Sequence, residues 1–462
     1  MINQFFRFVE ENFNLPLLIT SNGTITYGQL LLKAKVKAEG LDQYKKCRIG
    51  IFADDIESFW ASFFACWLSD NIPVPIPKGS DNDYQSHILK SAGLVGYFKN
   101  HNFVLISNET HIGEVDAILN TYNVGAILFT SGSTGKPKGV VLGKDALLVN
   151  AYSTKDKLNI PNGSKILIPV PFHFVSAISH FFVCALSRAT IHFNDACSFP
   201  QTFLGLIEEY KISGVGGSPI HAKWLVESGY HLKGINWLMS SGDKLGPSIT
   251  EKIISETYEF QLFQVYGLTE VGGRVCIANR SELKVNSNTI GHSISCLSAK
   301  VDNHDGGNEG SLLVKGESLM LGYLDNLKNG EVLSSESYFN TGDQAKVSDN
   351  GFEILGRNDD VFKVSGIKVS GPMVSDIAMS SGMLKDAWVS PMVHPLLGTV
   401  PCLLFTPKAE NFDLIKLKQF LTGKLYPQAR PRAFKCLENI PRTGSGKVIR
   451  REVQAIVSEL TI

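Results

Sequence analysis

Apolar residues fall in short runs separated by polar turns, and the spacing inside the runs changes character along the chain. "CRIGIFA" (Cys47 to Ala53), "IPVPIP" (Ile72 to Pro77) and "LVGYF" (Leu94 to Phe98) are short and apolar, as buried strands are. "SFWASFFACWL" (Ser58 to Leu68) and "HFFVCAL" (His180 to Leu186) are apolar on every side, which predicts buried helices, and both fall short of the about 20 residues of a membrane span. Strand and helix alternate, which predicts α/β layers with largely parallel sheets. The rhythm recurs between Lys165 and Trp237 as "KILIPVP", a helix after Phe174, "ATIHF", a helix ending in "EEYK", and "ISGVGG", so two sheets are expected. From about Asn288 the texture turns to short Gly-, Asn- and Asp-rich turns ("VDNHDGGNEGSLLVKG"), the mark of an antiparallel β subdomain.

A boundary is expected at "LGRNDDVFKVSG" (Leu355 to Gly366), where a polar turn separates two strand-like runs. It divides the 462 residues into a large N-terminal domain, 1–356, and a small C-terminal one, 357–462. The whole chain balances 44 Lys and Arg against 44 Asp and Glu, so no global field draws it to nucleic acid or to an anionic membrane. The balance is uneven, however: from Asp360 onward 14 basic residues face 8 acidic ones, and before it 30 face 36. A basic tail unit suits a phosphorylated or acidic partner. Eight scattered cysteines without C-x-x-C spacing, and a start ("MINQFFRFVEE") without a basic patch and apolar core, lead us to expect a reducing cytoplasm.

The chemistry concentrates in "FTSGSTGKPKG" (Phe129 to Gly139), flanked by apolar "VGAILF" and "VVL", which reads as strand, loop, strand. Glycines let backbone N–H groups converge on an anion, the hydroxyls of Ser131, Ser133 and Thr134 add donors, and Lys136 and Lys138 bring charge. Phosphate is the natural ligand. The run is not a G-x-x-x-x-G-K-[ST] loop, because Gly132 and Gly135 stand too close and Pro137 follows Lys136; "PRTGSGK" (Pro441 to Lys447) fails that pattern too, lacking its first glycine and its final hydroxyl.

Read together, "FTSGSTGKPKGVV", "VYGLTE" (Val265 to Glu270), "YFNTGD" (Tyr338 to Asp343), "GRNDDVFKVSG" (Gly356 to Gly366) and "PRTGSGKVIR" (Pro441 to Arg450) resemble, in order, the motifs of the AMP-forming adenylating superfamily. That superfamily comprises acyl- and aryl-CoA synthetases, nonribosomal peptide adenylation domains and firefly-type luciferases. Weaker echoes are "TITYGQL", "PFHF", "SSGDKL" and "SLMLGYLDN". The resemblance implies an α/β fold: a large N-terminal domain of two α/β sheet subdomains plus a β subdomain, and a small mobile α+β C-terminal domain. It implies an enzyme that joins a carboxylate to ATP, releases pyrophosphate, and passes the acyl group to the thiol of coenzyme A or of a carrier protein's phosphopantetheine. Luciferase-like use of the adenylate and a non-catalytic adenylate-binding role are the other readings.

By the same resemblance Lys447 is the catalytic lysine, on a loop before a β-like "VIRREV", where an ammonium relieves the meeting of two anions. Glu270 is the magnesium ligand and Thr269 a hydroxyl donor to the α-phosphate; on the residues alone, "GLTE" also reads as a helix start capped by Thr269. The nucleotide site takes in Thr130, Ser131, Gly132, Ser133, Thr134, Gly135 and Lys138, then Ser241, Gly242 and Asp243, with Tyr266 flat against adenine and Asp343 and Arg357 at the ribose. As a bland alternative, Asp343 and Arg357 form a surface ion pair. Asp359 is the hinge, and Gly366 and Lys368 approach the thiol channel after rotation.

The acyl pocket implied by position comprises His173, Phe174, Ser176, Gly216, Ser218, Gly267 and Gly273. Amino-acid-activating members of the superfamily it resembles usually place an aspartate near "PFHFVS" to pair with the substrate ammonium, and none stands between Pro171 and His180, so the resemblance implies a small carboxylic acid other than an α-amino acid. His173 and His180, seven apart, lack a third metal ligand and read as helix packing. Two stretches depart from the family pattern: Gly143-Lys144 replaces the usual Thr/Ser-His, and "SGPMVSDIA" replaces a "PxEVE"-like stretch.

Overall fold

The computed structural model describes residues 1–78, 82–99, 101–106, 114–130, 137–194, 199–228, 234–255, 260–303, 307–327, 330–364, 367–394, 397–409, 411–442 and 448–460. In the first sheet β1 (Arg48–Phe52) runs parallel to both β2 (Ile72–Ile76) and β3 (Gly96–Lys99). Helix α1 (Ile56–Leu68) follows β1, started by Asp55, whose carboxylate accepts the Ser58 N–H at 2.7 Å. Every residue from Phe59 to Trp67 is buried, because a second layer covers the face turned away from the sheet. That layer is reached through a hairpin, β4 (Val124–Thr130) with β5 (Lys138–Gly143), and helix α2 (Lys144–Leu158).

The second sheet has a parallel middle: β6 (Lys165–Ile168), β7 (Thr190–Phe193), β8 (Gly214–Gly217), β9 (Trp237–Ser241) and β10 (Gln261–Tyr266), in the order β7-β6-β8-β9-β10. Helix α3 (Val175–Leu186) crosses from β6 to β7, and it is what α1 packs on. Trp60 stacks on Phe181 with centroids 3.6 Å apart, and Trp67 stacks on Phe182 at 5.5 Å, so the two wholly apolar helices seen in the sequence bury each other between the sheets.

Beyond β10 the strands become antiparallel, as the change of texture predicts. They do not break away, however: the ladder continues unbroken through Thr289–Ser293 to β11 (Phe339–Ser348) and β12 (Gly351–Arg357), giving one 13-stranded sheet. After β12 come a short 3-10 turn (Asn358–Asp360), two small sheets, and helices that include α4 (Gly371–Ser380) and α5 (Arg450–Ser458). Their apolar clusters draw only on residues from Phe362 onward.

The β-like reading of "VIRREV" is corrected here, since Arg450 opens α5. Val453 and Val457, four apart, are its buried face, a helical period that a six-residue window cuts off. Only Val448 keeps a strand-like partner, bridging Arg442. Among the described residues no helix is long and apolar enough to cross a membrane.

Candidate active site

The carboxyl ends of β8, β9 and β10 run directly into Ser218, Gly242 and Gly267, so residues distant in sequence meet along one sheet edge. This edge is where open parallel sheets receive ligands. Ser241 lies beside Val265 in the β9–β10 register, and Gly242 follows with φ of 91°, a turn that carries the chain off the sheet toward Asp243. Tyr266 closes β10 and reaches the β11–β12 hairpin, where its hydroxyl donates to Asp343.

Asp343 and Arg357 are cross-strand partners in that hairpin. Arg357 Nε lies 2.9 Å from Asp343 Oδ1 and Nη1 donates to Thr341 O at 3.0 Å, while Asp343 Oδ2 takes the Tyr266 hydroxyl. The ion pair weighed as the bland alternative therefore exists, with its carboxylate buried (4% exposed) and its guanidinium facing outward. Burial raises the Asp343 carboxyl above its ordinary range, and Arg357 opposes that shift. Burial and then Asp343 push the Tyr266 phenol far up, so it stays a neutral donor.

After β10 the chain makes one 3-10 turn, Thr269–Val271, rather than a capped α-helix: Leu268 occupies the cap position and Gly272 ends the turn at φ of 73°. Thr269 is thus not a cap, contrary to the local reading, because the chain must return at once to an antiparallel strand. Gly267 is required by that return; a Cβ there would lie 1.9 Å from Gly273 O. Gly273 in turn receives Ser179 of α3, and a Cβ would meet it at 2.8 Å. Asn150 of α2 stitches the turn from below, donating to Val271 O (3.0 Å) and Arg274 O (2.8 Å) and accepting from Arg274 N (3.1 Å).

Glu270 points to the β4–β5 hairpin side. Tyr323, on a strand paired with β5, donates its hydroxyl to Glu270 Oε1 at 2.7 Å, and Lys138 Nζ stands 5.3 Å above its ring. Burial and Glu270 together push the Tyr323 hydroxyl up, so it too is a neutral donor. Thr130 faces Lys138 across the mouth of the hairpin. Ser131, Gly132, Ser133, Thr134, Gly135, Gly366 and Lys447 lie outside the described residues, as do the side chains of Asp359 and Lys368.

Among the residues expected to line an acyl pocket, Phe174 precedes α3 and is 38% exposed, while the Ser176 carbonyl accepts from Arg274 Nη2 at 3.1 Å. Ser218 caps the next helix through His221, its hydroxyl 2.9 Å from Nδ1. Gly216 lies under the His180 ring, where a Cβ would come to 2.8 Å. Burial lowers His173 to about 4 and His180 well below its ordinary value, the latter with help from Arg274, so both are neutral. They do not share a helix face: His173 lies against Phe174 before the helix begins, the rings tilted with centroids 4.4 Å apart, and only His180 is within it. No group of three metal-ligating side chains is found among the described residues. Lys144 is turned inward (5% exposed), with Nζ 3.5 Å from Asp70.

The tail unit meets this edge through charge. Lys244 Nζ lies 3.3 Å from Asp376 of α4, the field of Asp243 reaches Arg442, and that of Arg450 reaches Asp343. Asp360, beside the expected hinge, holds Arg450 in a two-point pair at 2.7 and 2.5 Å. Asn150 and Arg274 lie outside the motifs quoted above, and Tyr323 lies within "SLMLGYLDN" without being singled out there. Each is a polar residue set in an apolar stretch, which is the one signal that singles them out.

This fold is that of solved adenylating enzymes. The chain belongs to the AMP-binding enzyme family, whose model matches residues 5–324. It is 24% identical over 459 residues to a 2-succinylbenzoate–CoA ligase of Staphylococcus epidermidis, covering 96% of each chain. It is 22% identical over 485 residues to that of Staphylococcus aureus strain JH9, covering 93% of this chain and 94% of the relative. Among solved structures, the Bacillus subtilis o-succinylbenzoate CoA synthetase with its acyl-adenylate intermediate matches with a TM-score of 0.84 at 19% identity over 98% of both chains. An anthranilate CoA ligase bound to anthranoyl-AMP matches with a TM-score of 0.83 at 16% identity, over 98% of this chain and 96% of that one.

Proposed function

We propose that the chain is an ATP-dependent, AMP-forming ligase that converts a small carboxylic acid to its acyl-adenylate and then to its coenzyme A thioester. The observation that carries this reading is the convergence on one sheet edge of the buried, doubly bonded Asp343 and of Glu270, which faces the Thr130–Lys138 hairpin. The relatives are named for coenzyme A, which favours it over a carrier protein as acceptor.

Asp343 fits a ribose: its charge is fixed by Arg357 and Tyr266, and each oxygen keeps lone pairs for a diol. Glu270 fits magnesium, since one carboxylate oxygen is oriented by Tyr323 and the other makes no hydrogen bond among the described residues. Magnesium there would offset the negative charge of the phosphates. Lys138, with the backbone of 131–135, serves the phosphates from the hairpin. Gly242 lets the chain turn away so that a base can lie beside Tyr266. The carboxylate oxygen attacks the α-phosphorus while pyrophosphate leaves, and Lys447 relieves the charge that accumulates. Its sequence neighbours Arg442 and Arg450 lie within the fields of Asp243 and Asp343, which supports the assignment. Residues 357–462 then turn about Asp359, Gly366 and Lys368 approach, and the thiol sulfur displaces AMP from the acyl carbon.

Exchange of labelled pyrophosphate into ATP tests the reading. It should require an added carboxylic acid, and Lys447→Ala should abolish it while still making thioester from supplied acyl-adenylate. Equal loss of both steps refutes the role of Lys447, and no acid-dependent exchange refutes the ligase.

A further inference from the structure

The first sheet has a crevice of its own. Its strand order is β2, β1, β3 and then the edge strand Asn102–Leu105, so the chain leaves β1 toward one side and comes back on the other. The crossovers diverge between β1 and β3, and the carboxyl ends of two such strands are where an open parallel sheet leaves room for a ligand. A cavity of about 160 Å³ stands there, at the start of the 13-residue helix α1, lined by Ile51, Phe52, Asp54, Ser62, Phe98 and Lys99 among others. None of the residues assigned above to adenylation lines it.

Two polar atoms in the lining are unspent. Among the described residues, the hydroxyl of the fully buried Ser62 has no partner, and neither has the buried Asp54 Oδ2. Asp55 differs, because its carboxylate already caps α1 through the Ser58 N–H. A carboxylate oxygen only accepts, so the group that completes Asp54 brings a hydroxyl or an amine. The opposite charge gathers beside it: Lys99 and His101 line the cavity and are exposed, and Lys78 donates to the Asp54 carbonyl at 3.5 Å. Neither lysine forms a salt bridge among the described residues. Ile51, Phe52 and Phe98 add apolar lining, and the volume suits one planar ring, since an apolar cavity of about 150 Å³ admits benzene. Asp54 would repel a lone phosphate, and a lone amine would leave the cations unused. A nucleotide joins a ring, hydrogen-bond donors and an anion in one molecule.

We propose that this crevice is a second nucleotide site, which takes an adenosine phosphate with its hydroxyl or amino donors on Asp54 and Ser62 and its phosphate toward Lys78, Lys99 and His101. That the base is adenine rests on the ligase reading above, which brings two such groups to the protein: free AMP, and the nucleotide end of coenzyme A. Base, sugar and phosphate are shared by both, and the experiment separates them.

Equilibrium dialysis of the full chain with labelled AMP, and separately with labelled coenzyme A, is the test. If the ligand is free AMP, two molecules should bind per chain, Asp343→Asn weakening one site and Asp54→Ala the other, with coenzyme A affinity unchanged in Asp54→Ala. If it is coenzyme A, Asp54→Ala and Lys99→Glu should each weaken its binding by about tenfold or more, a charge-assisted contact being lost in each, and should raise KM for coenzyme A in thioester formation to match. Lys99 is exposed, so Lys99→Glu reads the site even where Asp54→Ala fails to fold. A single AMP site together with unchanged coenzyme A affinity in Lys99→Glu would overturn the proposal. Adenosine binding the cavity as tightly as AMP would overturn it too, because the cations would then hold no phosphate. Acid-dependent pyrophosphate exchange on the same preparations tests the ligase separately, and its absence would remove that reading whatever binds in the crevice.

Discussion

At the scale of single residues, the site depends on ionisable groups whose surroundings decide their charge. Asp343, proposed to hold the ribose, is the clearest case, because its two oxygens are already oriented by Arg357 and Tyr266. Asp343→Asn keeps the shape but loses the charge, and should weaken ATP binding by roughly 1.5–3 kcal/mol in calorimetric titration; Tyr266→Phe, which spares the Arg357 contact, should cost about 1 kcal/mol. Burial raises the Asp343 carboxyl, so ATP affinity in the wild-type protein should begin to fall at a higher pH than an exposed aspartate would dictate. In Asp343→Asn that dependence should flatten, and an equal slope in both proteins would disprove the contact. His173 acts on stability with the opposite kind of group. Its pKa is depressed by burial to about 4, so between the unfolded value near 6.5 and 4 the unfolded chain binds the extra proton. Its contribution is therefore present above pH of about 6.5 and is lost as pH falls through that window. His173→Gln should show a shallower loss of melting temperature on acidification than the parent.

At the scale of elements, the 267–274 turn shows what motif reading reaches and where it stops. The strand–loop–strand around residue 130, both wholly apolar helices and the glycine-rich strand ends were legible, because each is a local pattern with a period or a turn chemistry. Thr269 as a cap and "VIRREV" as a strand were misread for the same reason: the local windows hold those patterns, and the decision was made by distant partners. Asn150 lies more than a hundred residues before the turn it holds, and Tyr323 more than fifty after Glu270, so no window includes both. The phosphate-loop residues Ser131 to Gly135 and Lys447 rest on motif alone. The turn itself is testable. Gly267→Ala would drive a Cβ into Gly273 O and displace Glu270, so exchange activity should drop by tenfold or more while stability falls by about 1–3 kcal/mol in urea unfolding. Asn150→Ala leaves buried carbonyls unpaired and should produce the same two losses, roughly 2–3 kcal/mol in stability, although Asn150 is fully buried behind the turn. Full activity in either variant would mean that the turn's geometry does not govern Glu270.

At the scale of the whole molecule, two kinds of contact divide the labour. The first and second sheets of the large unit are joined by an aromatic seam, Trp60 on Phe181 and Trp67 on Phe182, which leaves little freedom between them. The tail unit has separate apolar clusters and touches the strand-end face through charge, with Lys244 and Asp376 at 3.3 Å as the plainest link. A polar seam of that kind costs little to open, which is compatible with the rotation proposed above. The pair is partly exposed, and such pairs contribute about 0.2–1 kcal/mol, which corresponds to a shift of roughly 1.4-fold to fivefold between two poses. Asp376→Asn should therefore lower pyrophosphate exchange by that factor and leave thioester formation from supplied acyl-adenylate unchanged or faster. Lys244→Gln should do the same, and the double variant should add nothing, because the pair acts as one latch. Raised ionic strength should mimic the substitutions in the parent protein and have less effect in the variants. If both steps slowed together, the contact would be holding the fold of α4 and not the pose of the tail.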